Sequence, residues 1–342
     1  MGVSAPPEHR GSGRDGRDSS LIVTVTLNPA IDQTIEVERF IEGDTNRVDS
    51  IRYTIGGKGI RVARVLKELG YEPLAMGFAP GASGRMIENQ LADSGIGTDF
   101  AFIPGETRTN VTIVDREHRQ HTVLSARGPY VEAADLDDLY ARIRRRVRAE
   151  TWLVLAGSIP PGAGGEVYAR LIEEASGRGA FSALDADGSV VREVLDRGVR
   201  PSLLKLNARE LGSVFDAPTE TEGEVIAAAQ TLRALGVPSV VVTRGALGAI
   251  ALTESGGYRV HTPDVAIVSA LGAGDAFLAG LLLGLRRHET WPQALARAAA
   301  AGTAASMVAG TGLCRAAEVD ELLPRCQVEF LEQPSISGAA AH

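Results

Sequence analysis

A chain of 342 residues that is 44% hydrophobic and 23% charged holds enough apolar material for one large α/β domain or two modest ones. Its 35 Lys and Arg against 43 Asp and Glu give a net charge of −8, which argues against nucleic acid as a partner. An anionic ligand would have to find its positive charge locally. The only cysteines, Cys314 and Cys326, form no CxxC pair, so neither a disulfide framework nor a zinc site is indicated.

Residues 1–20 lack the apolar stretch of a secretory signal and read as a disordered tail. The folded domain is expected over 21–325, with 326–342 a largely disordered C-terminal extension. "LIVTVTL" (21–27) is a continuous β-branched run, as in a strand buried on both faces. Similar runs recur at 152–157, 181–186, 203–207 and 239–245. Amphipathic helical patterns lie among them, from Ile60 to Leu69, Met86 to Asp93, Leu136 to Val147, Val167 to Ala175 and Glu224 to Leu235. Strand–helix alternation predicts a mostly parallel sheet with helices on both faces. Ligands of such sheets bind at the carboxyl ends of the strands.

Two regions break the alternation. Segments within 33–55 and 98–125 alternate with period two, which predicts a small second sheet lying as a lid over the first. The basic run Arg142 to Arg148 falls in a helical pattern and reads as a solvated face. His118 and His121 are close in sequence but have no third partner, and read as loop residues. The Ala-rich stretch 294–310 predicts a tightly packed helix. No apolar run is long and charge-free enough to span a membrane, and a cytoplasmic location is expected.

Four motifs carry candidate chemistry. In "LGAGDAF", Gly272, Ala273 and Gly274 precede Asp275 and an apolar helix. A helix N-terminus offers unpaired N–H groups to an anion, and small residues let the anion approach. A carboxylate behind that loop suits a general base, although a capping Asp would give the same pattern. In "IGGKGIRV", Gly56, Gly57 and Lys58 open a second helix, which also fits an ordinary tight turn. In "LLKLNARE", a strand ends at Lys205 and Asn207, and Glu210 follows in the first helical turn. Lys205 suits a phosphate, and Glu210 suits Mg²⁺ directly or through water. The bland alternative there is a capping box. In "VVVTRGALG", Thr243 and Gly245 line a nucleotide site or belong to a plain hairpin. No Gly-x-Gly-x-x-Gly follows the first strand, which argues against a nicotinamide dehydrogenase.

The order "LNPAIDQT", "GGKG", "AGSIPPG", "KLNARE", "TRGALG", "LGAGDAFLAG" resembles the ribokinase-type carbohydrate kinases over about Leu21 to Leu323. "TLNPAID" and "AGSIPPG" point to the branch of 1-phosphofructokinase and tagatose-6-phosphate kinase. The resemblance implies a ribokinase-like three-layer α/β sandwich with a β-sheet lid that often pairs into homodimers. It implies Asp275 as catalytic base and Gly272, Ala273 and Gly274 as anion hole. Lys205 and Asn207 would meet the phosphates of ATP, Glu210 would serve Mg²⁺, and Thr243 and Gly245 would line the nucleotide. Asp32 would hold sugar hydroxyls and Gly56, Gly57 and Lys58 would form the substrate loop, with Arg108 and Ser158 near the sugar phosphate.

The chain departs from the family pattern on the sugar side. Arg61 stands where an asparagine is usual, Ala276 follows the base where serine is common, Leu206 lies between Lys205 and Asn207, and "SARGP" (125–129) brings in Arg127. Arg61 is expected to bind the substrate's phosphate or a carbonyl oxygen, or else to pair with a surface acid such as Glu68 or Asp49. The implied activity is ATP- and Mg²⁺-dependent phosphorylation of a phosphosugar, fructose 1-phosphate first and tagatose 6-phosphate or fructose 6-phosphate next. A silent sugar-phosphate sensor is the alternative of another class.

Overall fold

The computed structural model describes residues 21–118, 120–308 and 313–331, so the N-terminal tail and the end of the extension lie outside the described residues. In chain order the first elements are β1 (Ile22–Thr26), β2 (Ala30–Val37), β3 (Ser50–Gly56), α1 (Lys58–Glu68), β4 (Leu74–Pro80), α2 (Gly81–Asp93) and β5 (Gly97–Ile103). Then come β6 (Arg108–Asp115), β7 (Gln120–Leu124), α3 (Ala133–Arg146), β8 (Trp152–Ala156), α4 (Glu166–Gly177), β9 (Phe181–Asp185) and α5 (Gly188–Asp196). They are followed by β10 (Leu203–Asn207), α6 (Ala208–Phe215), α7 (Glu222–Ala234), β11 (Val240–Thr243), β12 (Ala249–Thr253) and β13 (Gly256–His261). The last are α8 (Ala273–Arg286), α9 (Trp291–Ser306), α10 (Ala316–Leu322) and β14 (Gln327–Leu331).

Ten strands form one sheet in the order β14-β13-β12-β11-β10-β9-β8-β1-β4-β5. From β11 through β5 every pair is parallel, and β12 to β14 add an antiparallel edge. Alternate residues of each strand serve opposite faces. Val23, Leu153, Leu155 and Leu204 pack with the helices from α3 to α7 in one apolar cluster. Ile22, Trp152, Val154 and Val241 pack with α1, α8, α9 and α10 in another. Helices on both faces explain why β1, β8 and β9 are buried at every position and read as unbroken apolar runs.

The lid is a second sheet in the order β3-β2-β6-β7. Its base is anchored by Ile31 and Ile55, which join Ile60 of α1 and Ile87 and Leu91 of α2 in a third cluster. Two expectations need correction. Residues 98–103, expected in the lid, belong to β5, which pairs in parallel with β4 at the edge of the large sheet. There Ala101 and Ile103 pack in the first cluster and Phe100 in the third. Residues 327–331, expected in a largely disordered extension, form β14 along β13. Val328 packs on the second cluster, and Phe330 meets Tyr258 edge to face with ring centroids 5.7 Å apart.

The basic run belongs to α3 and its flank. Arg142 and Arg146 both hold Asp99, and Arg144 holds Glu174, so the run ties the helix to its neighbours across an exposed surface. Among the described residues, no helix is long and apolar enough to cross a membrane.

Candidate active site

The chemistry gathers at the carboxyl ends of the parallel strands, where backbone leaves the sheet and side chains face open space. Asn28 follows β1, Ser158 follows β8, Asp185 ends β9, Asn207 ends β10 and Thr243 ends β11. Two helix N-termini meet them from the α1 and α8 face. Gly57 is the N-cap of α1 and Gly272 the N-cap of α8. At φ +83° Gly272 occupies the left-handed region, which a residue with a Cβ enters only under strain. No side chain caps α8, so Asp275 is not the helix cap that its position also allowed.

Lys205 lies across from this N-terminus. A Cβ at Gly274 would stand 2.9 Å from Lys205 Nζ, so the lysine head and the loop share one surface. Lys205, Asn207, Thr243, Gly245, Ala273 and Gly274 line a single cavity of about 570 Å³. Val265, Ile267, Phe277 and Ala299 add an apolar part to its lining. The segment after Thr243 makes a single 3₁₀ turn, Gly245–Leu247, and returns as β12. It is therefore the hairpin of the plain reading and also a wall of this cavity.

The capping box expected at α6 is present. Asn207 Oδ1 accepts from the Glu210 N–H and Glu210 Oε2 accepts from the Asn207 N–H, both at 2.8 Å. The other Glu210 oxygen accepts from Lys58 Nζ at 3.1 Å. Both oxygens thus have partners, and the described residues contain no group of three or more metal-ligating side chains. Such a site would hold a Mg²⁺ ion only together with ligand oxygens and water, and Glu210 would be the residue to reach it, through water.

Lys58 is drawn away from the expected substrate loop toward acid. Its Nζ donates to Asp185 Oδ1 at 2.7 Å as well as to Glu210. Burial works against the Lys58 charge, but Asp185 and then Glu210 outweigh it and hold its pKa well above the ordinary lysine range. Asp185, which sequence reasoning missed, is fully buried and is shared by Lys58 and Lys205. Burial would raise its pKa; Lys205 and then Lys58 outweigh that and hold it at about 2. A lone acid ending an otherwise apolar strand was the available signal.

The lid supplies the opposite wall. In register, Asp32 pairs with Asn110 and Ala30 with Arg108. Side chains two apart on a strand share a face, so Asp32, Asn110 and Arg108 look the same way. Asn110 Nδ2 donates to Asp32 Oδ1 at 2.9 Å. Gly56 on β3 leaves the space that the Asp32 carboxylate fills. Arg108 donates to Ser158 Oγ at 3.2 Å and to the Asn28 carbonyl at 3.1 Å, while its Nε is buried with no hydrogen-bond partner. Burial lowers the Arg108 pKa from its ordinary value. Asn28 donates to the Arg127 carbonyl, and the Arg127 side chain is exposed. Gly57, Lys58, Arg61, Arg108, Asn110 and Ser158 line a cavity of about 250 Å³ with three cationic side chains and one acidic, Asp187. Asn28 and Asn110 were not singled out in sequence, since an amide in a strand or turn carries no local signature.

Arg61 pairs with neither Glu68 nor Asp49; Asp49 is held by Arg116. Its guanidinium takes Asp275 and Asp32 instead. The α8 N-terminus thus lines the larger cavity with Ala273 and Gly274 and is tied to the smaller one by the Asp275–Arg61 pair.

Comparison with known proteins shows the family of the chain. The model of the pfkB family carbohydrate kinases matches residues 25–318. A tagatose-6-phosphate kinase from Staphylococcus epidermidis is 31% identical over 313 residues, covering 91% of this chain and all of that protein. The phosphofructokinase-2 of Escherichia coli in complex with fructose-6-phosphate superposes with a TM-score of 0.82 at 25% identity, covering 90% of this chain and 99% of that one. A possible 1-phosphofructokinase from Thermotoga maritima superposes at 0.81 and 25% identity, over 91% of this chain and all of the other. The chain belongs to the pfkB family of carbohydrate kinases.

Proposed function

We propose that the protein transfers the γ-phosphoryl group of ATP to the terminal hydroxyl of a ketohexose monophosphate, with fructose 1-phosphate as the first acceptor. The observation that carries this reading is that the α8 N-terminus is linked to both cavities. Ala273 and Gly274 line the larger one, and Arg61, bonded to Asp275, lines the cationic one. ATP fits the larger cavity, with its base toward Phe277 and its phosphates toward Lys205 and the loop. Phosphate of the acceptor fits the cationic cavity, where Arg108 has an unpartnered buried donor.

In this reading Asp275 accepts the proton of the attacking hydroxyl as the new O–P bond forms. The N–H groups of Gly272 to Gly274 and the Lys205 ammonium stabilise charge on the transferring group. Asp32, oriented by Asn110, holds a sugar hydroxyl. Bound Mg²⁺ would neutralise charge on the nucleotide phosphates, with Glu210 holding it through water.

Tagatose 6-phosphate is the second acceptor, favoured by the relative that is 31% identical over its whole length. Both sugars carry phosphate at one end and a primary hydroxyl at the other, so one site geometry suits either. The test is a coupled assay of ADP formation over fructose 1-phosphate, fructose 6-phosphate and tagatose 6-phosphate. Transfer to none of them would overturn the reading in favour of a silent sugar-phosphate sensor. The reading also includes pairing of two copies through the lid.

A further inference from the structure

Arg61 holds the two carboxylates that the kinase reading assigns to base and sugar. Its Nε donates to Asp275 Oδ2 at 2.5 Å and its Nη1 to Asp32 Oδ2 at 3.2 Å. The side chains of Arg61, Asp32 and Asp275 are 16%, 14% and 6% exposed. Burial opposes the charge on Arg61, but Asp275 and then Asp32 outweigh it and hold its pKa above the ordinary arginine value. Arg61 also lines both the cationic cavity and a neighbouring space of about 580 Å³ between the lid and residues 267–271. The guanidinium therefore stands between the place of the phosphate and the base that must meet the acceptor hydroxyl.

A guanidinium has donors and no acceptor. The Asp275 oxygen it occupies already accepts a charge-assisted bond, so an incoming hydroxyl must compete with the guanidinium for it. Charge-assisted bonds are roughly twice as strong as neutral ones, so water or a neutral sugar competes poorly for that oxygen. An oxyanion competes for the guanidinium itself, because its oxygens match the fork of donors that the carboxylates now hold.

We propose that Arg61 is a latch on the base. In the empty site it occupies Asp275, and the oxyanion of a phosphorylated acceptor draws it off, so that the base serves acceptors that bring a phosphate and is withheld from water and neutral sugars. The proposal rests on the kinase reading above. With the latch drawn, the acceptor oxygen bonds to the γ-phosphorus and the bond to the bridging oxygen of ADP breaks. The electron pair leaves on ADP, and the hydroxyl proton passes to Asp275. With the latch closed, water must compete with the guanidinium for the Asp275 oxygen that would take its proton.

Arg61→Asn and Arg61→Met test this, the first short and polar, the second keeping the aliphatic stem. ADP formation is measured with no acceptor, with fructose and tagatose, and with fructose 1-phosphate and tagatose 6-phosphate. In both variants the rates without acceptor and with the neutral sugars should rise by about tenfold or more relative to the rate with the best phosphosugar, the rate equivalent of one lost charge-assisted hydrogen bond. Ratios within about twofold of the unmodified protein would overturn the latch alone, since a twofold rate change is under half a kcal/mol. Thermal melts identify a variant that does not fold, and the other then carries the comparison. If the unmodified protein transfers phosphate to none of the phosphosugars, the kinase reading fails and the latch falls with it.

Discussion

The ammonium of Lys205 donates to Asp185 Oδ2 at 2.7 Å with both side chains almost wholly out of water, at 4% and 0% exposure. The other Asp185 oxygen takes Lys58 at the same distance. One carboxylate from β9 thus positions a lysine of the larger cavity and a lysine of the smaller one together. Breaking such a set from one side costs more than the set contributes, because the remaining charges stay buried without a partner. Asp185→Ala should lose about 3–5 kcal/mol of stability on this account. Asp185→Asn should lose somewhat less, because it keeps one acceptor oxygen for one of the two lysines, although its amide NH2 then faces the other.

The same contact predicts an acid dependence. Asp185 has its pKa depressed in the folded protein, to about 2, from an ordinary value near 4. Its contribution is therefore present above about pH 4 and is lost as pH falls through about 2. Urea denaturation of the unmodified protein and of Asp185→Asn should show a stability difference that is constant near neutrality and shrinks at acid pH. A difference that stays constant or grows toward acid would mean that the carboxylate is not held ionised by the two lysines.

Asp275→Asn should retain ATP and lose turnover by about 10²–10⁴, the usual contribution of a positioned base. The helix would tolerate the change, since the cap of α8 is Gly272 and no side chain caps it. Measured ATP affinity separates the two roles. Turnover equal to that of the unmodified protein would leave Asp275 as a buried anchor for Arg61 and nothing more.

The periodic signals in the sequence were legible because they are local. The apolar runs of β1, β8 and β9 show burial on both faces, and the glycines before α1 and α8 mark helix N-termini that accept anions. The ion pairs of the site are not local: Lys58 meets Asp185 across 127 residues and Arg61 meets Asp275 across 214. No periodicity encodes which acid a lysine or arginine faces once strand order has rearranged the chain, so the pairings of Lys58 with Asp185 and of Arg61 with Asp275 were not legible. β5 and β14 were misplaced for a related reason. An edge strand is half exposed in either sheet, and its pattern does not name its partner.

Arg108→Ala should raise KM for the sugar phosphate by about tenfold or more, with KM for ATP little changed. Arg108 reaches Ser158 and the Asn28 carbonyl on the cationic side and does not line the larger cavity. Its partnerless buried Nε is a donor that an acceptor phosphate would satisfy. Steady-state kinetics with each substrate varied in turn gives the two constants. Equal changes in both would move Arg108 from substrate recognition to support of the lid.

The lid presents its two faces to different tasks. Asp32 and Asn110 are register partners on the inner face, opposite Thr54 of β3. The intervening residues point outward, where Gln33 pairs with Tyr53, Ile35 with Ile51 and Val111 with Leu124. Ile51, Tyr53 and Leu124 are 51%, 62% and 56% exposed, an apolar patch that a second copy would cover. The expected state in solution is a dimer, and Ile51→Glu combined with Tyr53→Lys should shift it to monomer in light scattering across a dilution series. Exposed positions of this kind contribute little to the fold of one chain, so the melting temperature of the monomeric variant should fall only by the loss of the dimer contacts. Because the same strands carry Asp32 and Arg108 on their inner face, freeing the lid should raise KM for the phosphosugar more than KM for ATP. A monomeric unmodified protein would remove the dimer from the proposed function. A variant that stays dimeric would place the interface away from the lid.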